Sequence, residues 1–195
     1  MKIIVVGATG TMGGPVAAVI AARGHEVVRA SRHADERVDI EDSESIRDLY
    51  RRVGPVDGVV SCAGHGRFGP LADLDNDDFA FTLRSKLMGQ VNLVRMGVDH
   101  LRDGGVFVLT AGIYGTRPEP GTPALAMANG ALESFARATA LDLPRGLRIV
   151  TISPPWLHES ARAANRQGDI SAADNARFYA DVVDGDQTGQ VIFPA

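Results

Sequence analysis

A glycine-rich turn near the start of the chain constrains the fold more than any other feature. The apolar run Lys2–Val6 ends directly at Gly7, and Gly10 and Gly13 follow at the start of a helix-like segment, 11–23. In dinucleotide-binding α/β folds the first such glycine allows the tight bend, the second lets backbone N–H groups approach a pyrophosphate, and the third lets the helix pack against the strand. We therefore predict a dinucleotide-binding turn; a plain strand–helix turn of small residues is the alternative. The other residues of this turn that we expect to contact the cofactor are Thr9, Thr11 and Met12.

Strand-like and helix-like segments alternate along the whole chain. After Lys2–Val6 the predicted strands are 26–30, 56–61, 106–110, 147–153 and 190–193. The predicted helices are 11–23, 43–53, 79–101, 123–143 and 171–183, with a looser helical stretch after 155. Short, nearly continuous runs of Val, Ile and Leu separated by helices are typical of a parallel sheet that is covered on both faces. We predict a three-layer, doubly wound α/β domain of the Rossmann type with about seven strands.

The composition excludes several classes of protein. A chain of 195 residues has the size of one domain, which we assign to residues 1–195. Because it has no run of 18 or more apolar residues and no secretory signal, we expect a cytoplasmic protein with no membrane partner. A net charge of −4 and scattered basic residues argue against a nucleic-acid partner. The single cysteine, Cys62, and five histidines without ligand spacing give no disulfide and no metal site.

The end of the second predicted strand indicates which dinucleotide is bound. A carboxylate at this place would accept hydrogen bonds from the ribose hydroxyls of NAD, but the chain has Ser31 and Arg32 there. A hydroxyl and a guanidinium suit the 2′-phosphate of NADP, so we predict NADP(H) as the cofactor. Asp39 and Ile40 follow closely and are expected to flank the adenine. The alternative is that Arg32 only covers the end of the strand in solvent.

Three further segments resemble those of the short-chain dehydrogenase/reductase family. Ser61-Cys62-Ala63-Gly64 resembles its Asn-Asn-Ala-Gly turn, Ser153-Pro154-Pro155 its Pro-Gly turn, and 188–192 its closing strand. The glycine turn has the spacing of extended and atypical members. The resemblance implies that Cys62, Ala63, Gly64 and Pro154 lie along the cofactor. Because the sequence places no histidine to activate it, we expect the Cys62 thiol to be a small buried filler and not a nucleophile. It also implies a homodimer or homotetramer formed through the helices predicted at 79–101 and 123–143.

The catalytic signature of this family is missing. Its members use a tyrosine as acid/base, a lysine four residues later, a serine that polarises the carbonyl and an asparagine that orders a water. Aligned on Gly-Ala-Leu at 130–132, the tyrosine position holds Leu125 and the lysine position Asn129. The chain has only two lysines, Lys2 and Lys86, and neither follows a tyrosine by four residues. No Tyr-x-x-x-Lys therefore exists in this sequence.

Other residues must then supply the catalytic groups. The serine position falls on Thr110 or Ala111, of which only Thr110 has a hydroxyl to polarise a carbonyl. The asparagine position falls on Lys86, which could bind the nicotinamide ribose or lower the pKa of a neighbouring acid. The alternatives are an ordinary surface lysine or an ion pair with a nearby carboxylate. Tyr114, in the loop after 110, is a candidate proton donor or a packing residue. His65 is a second candidate donor or a solvated turn residue.

Two functions fit these observations. The first is an NADP(H)-dependent oxidoreductase that acts on a small carbonyl or alcohol, with Lys86, Thr110 and Tyr114 as its catalytic residues. The second is an inactive NADP(H)-binding sensor or scaffold. The glycine turn and Arg32 favour both equally, whereas the missing tyrosine–lysine pair favours the second. Only 156–168 separates the last Pro-Pro turn from the next helix, so we expect a substrate pocket that is shallow or completed by another subunit. Trp156 is expected at its mouth or as a packing anchor.

Overall fold

A computed structural model describes residues 1–163 and 167–195, in which a parallel sheet occupies the centre of the domain. Its strands are β1 (Lys2–Val6), β2 (Glu26–Ser31), β3 (Glu36–Arg37), β4 (Val56–Ser61), β5 (Leu101–Thr110), β6 (Arg148–Ile152) and β7 (Val191–Ile192). They are ordered β3-β2-β1-β4-β5-β6-β7, and every neighbouring pair is parallel. The order reverses between β1 and β4, which is where open α/β sheets bind ligands. The predicted seven-stranded, doubly wound fold is confirmed.

Helices cover both faces of the sheet. They are α1 (Gly13–Ala22), α2 (Ser43–Val53), α3 (Asn76–Thr82), α4 (Gly89–Gly97), α5 (Pro123–Thr139), α6 (His158–Ala163) and α7 (Ala172–Asp184). Alternate residues of β1 face opposite sides, because successive side chains of a strand point to opposite faces. Ile3 and Val5 pack in the cluster that contains α1 and α7, whereas Ile4 and Val6 pack in the cluster that contains α2, α4 and α5.

The long helix predicted at 79–101 consists of several differently wound segments. It begins at α3, where Asp75 and Asp78 form a reciprocal capping box. A π-helical segment, Leu83–Met88, then joins α3 to α4, and a short 3₁₀ turn, Val98–His100, completes the region. Short π-helical segments inside α-helices occur frequently at functional sites. This segment contains Lys86, the residue at the family's asparagine position.

Some boundaries differ from the sequence expectations. β3 has only two residues, Glu36 and Arg37, and its strand geometry comes from pairing with β2 rather than from an apolar pattern. β5 begins at Leu101 and includes the exposed 102–104, which have no apolar alternation. α5 ends at Thr139, four residues before the predicted end. No helix among residues 1–163 and 167–195 is long and apolar enough to cross a membrane.

Candidate functional site

Two adjoining cavities lie at the carboxyl ends of the central strands. The first, of about 280 Å³, is formed at the ends of β1, β2 and β4. It brings together most of the predicted cofactor residues, namely Gly7, Thr9, Gly10, Ser31, Arg32, Asp39, Ile40, Cys62, Ala63 and Gly64. The second, of about 290 Å³, begins at Gly64 and His65, which line both cavities. An elongated ligand could therefore extend from one cavity into the other past these two residues.

The turn between β1 and α1 has no room for a side chain at its first and third glycines. Gly7 has a φ of +83°, and a Cβ there would lie 2.8 Å from the Cys62 carbonyl oxygen. A Cβ on Gly13 would lie 2.1 Å from the Gly7 carbonyl oxygen, so strand and helix can approach only with glycine at both positions. Around Gly10 the nearest atom to such a Cβ is 3.3 Å away, so the middle of the turn is more open.

The N-terminus of α1 has the features of an anion-binding site. Its N-cap residue, Met12, makes no side-chain capping hydrogen bond, and its first turn contains no acidic residue. The first N–H groups of a helix have no partner within the helix, and the helix dipole there favours negative charge. Together with the close backbone approach at Gly7 and Gly13, this geometry suits the pyrophosphate of a dinucleotide. Thr11 is exposed beside it.

The residues at the end of β2 have different roles. Ser31 is buried, and its Oγ accepts hydrogen bonds from Thr9 Oγ1 (3.1 Å) and from the backbone N–H of His33 (3.1 Å), so it holds the turn in place. Arg32 is exposed and lines the first cavity. No carboxylate stands at the end of β2. Of Ser31 and Arg32, the exposed guanidinium of Arg32 is therefore the group that could bind a 2′-phosphate.

Asp39 and Ile40 form the opposite wall of the first cavity. The Asp39 carboxylate accepts a hydrogen bond from the backbone N–H of Glu41 at 3.0 Å, which fixes its own turn. Ile40 is buried against α4, where a Cβ on Gly89 would lie 2.6 Å from its Cδ1. The side chain of Ile40 thus presents a fixed apolar surface, which suits the face of an adenine ring.

The second cavity contains Lys86 at its junction with the first. Gly64, with a φ of +119°, lets the segment after β4 pass close to the Lys86 backbone. The Lys86 Nζ donates a hydrogen bond to the Ala111 carbonyl oxygen at 2.8 Å. Burial lowers the pKa of this ammonium to about 8, and the neighbouring Cys62 thiol acts weakly in the opposite direction. Burial raises the pKa of that thiol to about 12, so Cys62 is uncharged in the site.

Thr110 does not reach this cavity, contrary to the expectation that it polarises a carbonyl. Its Oγ1 donates to the Ser61 carbonyl oxygen at 2.5 Å and lies 2.8 Å from the hydroxyl of Tyr179, on the α7 side of the sheet. Ala111 and Gly112 line the cavity instead, and neither carries a hydroxyl. The reason is that side chains of β5 alternate between the two faces of the sheet, and Thr110 lies on the same face as Val106 and Val108.

Tyr114 lines the second cavity but its hydroxyl is engaged on the protein side. The hydroxyl accepts a hydrogen bond from Trp156 Nε1 and donates to Glu119 Oε2 at 3.2 Å. Its ring packs edge-to-face against Phe68, with centroids 6.2 Å apart. Phe68 in turn stacks on Trp156 at 5.7 Å. The three rings form an aromatic wall at the cavity mouth, and the hydroxyl proton of Tyr114 is directed to Glu119 rather than to a substrate.

The two positions at which the family's catalytic tyrosine and lysine are replaced also line the second cavity. Leu125 places an apolar side chain at the tyrosine position. Asn129, at the lysine position, is 3% exposed, and its Oδ1 is buried without a hydrogen-bond partner among the described residues. A buried acceptor without a partner is costly unless a ligand or water satisfies it. The sequence identified the replacement of lysine at Asn129 but not its unpaired acceptor, because that depends on how the folded chain surrounds Oδ1.

The remaining predicted residues complete the site. Met12 and Pro154 line the second cavity, and Gly13 is buried in the turn. His65 is exposed at the junction of the cavities, and its backbone N–H donates to Ser85 Oγ at 3.2 Å. Trp156 belongs to the aromatic wall at the cavity mouth, which is one of the two places expected for it. No group of three or more His, Cys, Asp or Glu able to hold a metal occurs in the part of the chain that the structure describes.

Comparisons with known proteins agree with this architecture. A family model described as enoyl-(acyl carrier protein) reductase matches residues 6–192. The crystal structure of the protein lin1944 from Listeria innocua is 41% identical and covers 100% of both chains, with a TM-score of 0.96. A small-chain dehydrogenase solved in complex with NADPH is 23% identical and has the same fold, with a TM-score of 0.90 over 99% of this chain and 95% of that one.

Curated relatives match over shorter regions. Versicolorin reductase stcU from Emericella nidulans is 30% identical over 165 residues, which are 71% of this chain and 62% of that protein. Hydroxynaphthalene reductase arp2 from Aspergillus fumigatus is 31% identical over 110 residues, or 56% of this chain and 40% of that protein. The chain therefore spans less than two thirds of these relatives. The match over nearly the whole sequence, the sheet order and the glycine turn show that the chain belongs to the short-chain dehydrogenase/reductase family.

Proposed function

We propose that this protein is an NADP(H)-dependent oxidoreductase that acts on a small carbonyl compound or the corresponding alcohol. The observation that carries the proposal is the adjoining pair of cavities, one built for a dinucleotide and the other containing the half-buried ammonium of Lys86 among apolar walls. The cofactor would supply the hydride. The protein's own contribution is to position both reactants and to stabilise the charge that develops on the substrate oxygen.

The preference for NADP(H) over NAD(H) rests on the end of β2. Arg32 and His33 are exposed on the wall of the first cavity, and both can face a 2′-phosphate. A guanidinium binds phosphate through paired, charge-assisted hydrogen bonds. The 23%-identical dehydrogenase of the same fold was solved with NADPH, which is consistent with this choice.

The second cavity limits the substrate. Its volume of about 290 Å³ must hold the nicotinamide half of the cofactor as well as the reacting part of the substrate. Among the described residues, the side chains that line it are apolar or aromatic apart from Lys86, Asn129, His65 and Ser160. A compact, largely apolar carbonyl compound fits this lining. An ammonium in such surroundings interacts more strongly with a developing alkoxide than it would in water.

A paired measurement tests the proposal. The first part is a thermal-shift titration with NADPH and NADH, in which NADPH should stabilise the protein at lower concentration. The second part follows NADPH oxidation with a panel of aldehydes, ketones and quinones. A preference for NADH would refute the role of Arg32, and tight NADPH binding without turnover of any compound would refute the enzymatic function.

A binding protein without turnover is the second candidate, favoured by Leu125 in place of a catalytic tyrosine. A relative from Escherichia coli that is 29% identical over 129 residues is named a cyclic-di-GMP-binding biofilm dispersal mediator protein. A family member can thus carry a name that describes binding rather than catalysis. In this case NADPH would bind in the thermal-shift titration and the substrate panel would show no oxidation.

We further propose a cytoplasmic homodimer or homotetramer that forms through α4 and α5. Met88, immediately before α4, and Met127, on α5, are 39% and 42% exposed. Large apolar side chains exposed on neighbouring helices are typical of surfaces that associate. Light scattering coupled to gel filtration gives the mass in solution, and Met127→Glu should shift it towards the monomer if this surface is used.

A further inference from the structure

We propose that Lys86 is the proton donor of the reduction and delivers an ammonium proton to the substrate oxygen. This inference rests on the proposed oxidoreductase function and assigns the one group that the function leaves open. It gives Lys86 a direct part in the reaction, beyond binding the ribose or stabilising charge.

The position of Lys86 allows such a role. The residue lies in the π-helical segment Leu83–Met88, and its side chain lines the second cavity together with Leu125 and Asn129. One N–H of the ammonium is donated to the Ala111 carbonyl oxygen at 2.8 Å. An ammonium has three donors, so this bond fixes Nζ at the end of β5 and leaves two N–H groups for other partners.

The other hydroxyl groups near the site are directed elsewhere. The Tyr114 hydroxyl donates to Glu119, and the Thr110 hydroxyl donates to the Ser61 carbonyl on the far face of the sheet. Ser153 is buried, and its Oγ donates to Glu133 Oε1 at 2.7 Å. Ser160 lines the cavity, but an aliphatic hydroxyl is too weak an acid to donate without activation. His65 is the remaining rival and is included in the test.

The electrostatic surroundings keep the proton available. Cys62, from the segment after β4, is the titratable group that acts electrostatically on Lys86 among the described residues. The other titratable side chains described as lining the same cavity are His65, from the same segment, and Tyr114, from the loop after β5. From α5 the cavity receives only uncharged side chains, and no carboxylate lines it among the described residues. Burial without a counter-charge lowers the pKa of Lys86 to about 8. At neutral pH the group is therefore mostly protonated, yet it releases its proton more readily than an exposed lysine.

The step balances with the cofactor as the only reductant. The bound cofactor would supply a hydride to the carbonyl carbon, and the π electron pair of the C=O bond would move onto oxygen. That oxygen takes a proton from the Lys86 ammonium, which yields the alcohol, the oxidised nicotinamide and a neutral amine. The amine regains a proton from water at the cavity mouth after the product leaves.

The scarcity of lysine makes a direct measurement possible. Lysine labelled with ¹⁵N at Nζ gives signals from two residues only, Lys2 and Lys86, and a Lys2→Arg variant identifies which is which. An NMR pH titration of the free protein and of its NADPH complex should show Lys86 titrating near pH 8. A Lys86 signal that stays protonated to above pH 10 in both states would overturn the proposal.

Turnover supplies the second readout. Reduction needs the protonated amine, so kcat should fall as pH rises through the value found for Lys86 by NMR. Lys86→Arg keeps the positive charge but does not release a proton in this range, so it should retain NADPH affinity within about threefold and lose about 100-fold or more in kcat. Lys2→Arg is the matched control and should keep the activity of the unsubstituted protein.

The outcomes separate the two proposals. If Lys86→Arg keeps its kcat, Lys86 acts through its charge alone, and the oxidoreductase function stands without this inference. If His65→Gln instead removes the fall of kcat at high pH, His65 is the donor. If the unsubstituted protein turns over no substrate while it binds NADPH, the oxidoreductase function and the inference fail together.

Discussion

The unsatisfied acceptor on Asn129 leads to a prediction with opposite effects on stability and binding. Asn129→Leu replaces the amide with an apolar group of similar size in a site that is 3% exposed. In the free protein Oδ1 has no partner among the described residues, and such a group costs about 1–3 kcal/mol. Its removal should raise the free energy of unfolding by about 1 kcal/mol, which corresponds to about 3 °C in Tm for a chain of this size.

Binding of NADPH should change in the other direction. A ligand that reaches from the first cavity past Gly64 brings its nicotinamide half, with its ribose hydroxyls, to the side of Asn129. One hydrogen bond to Oδ1 contributes about 0.5–1.5 kcal/mol, so Asn129→Leu should weaken NADPH binding about two- to tenfold. Adenosine 2′,5′-bisphosphate lacks the nicotinamide half and should bind the variant and the unsubstituted protein equally.

Calorimetric titration with both ligands and a melting curve without ligand test this reasoning. Met127→Leu, on the same helix but 42% exposed, is the matched control and should change neither measurement. Asn129→Asp retains an acceptor and should bind NADPH more tightly than Asn129→Leu does. A variant Asn129→Leu that melts at a lower temperature, or that loses affinity for both ligands alike, would show that Asn129 only supports the local structure.

Three further substitutions follow from the described contacts. Arg32→Glu should weaken NADPH binding about 10- to 100-fold while NADH binding improves, as measured by fluorescence titration with each cofactor. Gly13→Ala places a Cβ 2.1 Å from the Gly7 carbonyl oxygen and should cost about 3 kcal/mol or more, with loss of NADPH binding, in urea unfolding and calorimetry. The hydrogen bond from Arg23 lowers the pKa of Asp184, so this carboxylate stabilises the fold above its unfolded pKa and ceases to do so as pH falls. Asp184→Asn should therefore be less stable than the unsubstituted protein at neutral pH. In urea titrations the difference should shrink as pH falls below about 4 and disappear only below the lowered pKa of Asp184.

Different results would contradict each of these predictions. Unchanged discrimination between the cofactors in Arg32→Glu would place the 2′-phosphate away from β2. A Gly13→Ala protein of normal stability would mean that strand and helix can separate at the turn. A stability difference for Asp184→Asn that does not shrink at all between pH 7 and about pH 3 would point to lost packing rather than to its charge.

The sequence predicted best what depends on local pattern. β1 and the turn at Gly7 were correct because a strand, a tight bend and a helix start each have their own residue requirements. The two-residue β3 could not be predicted, because Glu36 and Arg37 are strand-like only through pairing with β2. The end of α5 at Thr139 was missed because 140–143 continue an apolar composition beyond the helix.

For the site, the residues around the first cavity were predictable and the chemistry of the second was only partly so. Thr110 was assigned by its hydroxyl, although the alternation of Val106, Val108 and Thr110 already placed it on the α1 and α7 face. The direction of the Tyr114 hydroxyl depends on Glu119 and on Trp156, which is distant in sequence. Such long-range contacts leave no local pattern.

The π-helical segment couples the winding of one helix to the shape of the site. Each residue of an α-helix turns the chain by about 100°, and a π turn takes in an extra residue. The wider turn absorbs this extra residue, so deleting one residue between Leu83 and Met88 would restore α-helical winding there. The side chains within the segment would then point in new directions, while α3 and α4 kept their relative orientation. Thr82 on α3 accepts the backbone N–H of Arg67 at 3.0 Å, next to Phe68 of the aromatic wall. The loss of a single codon here would thus redirect Lys86 within the second cavity, while the contact between α3 and the segment at the cavity mouth stayed in place.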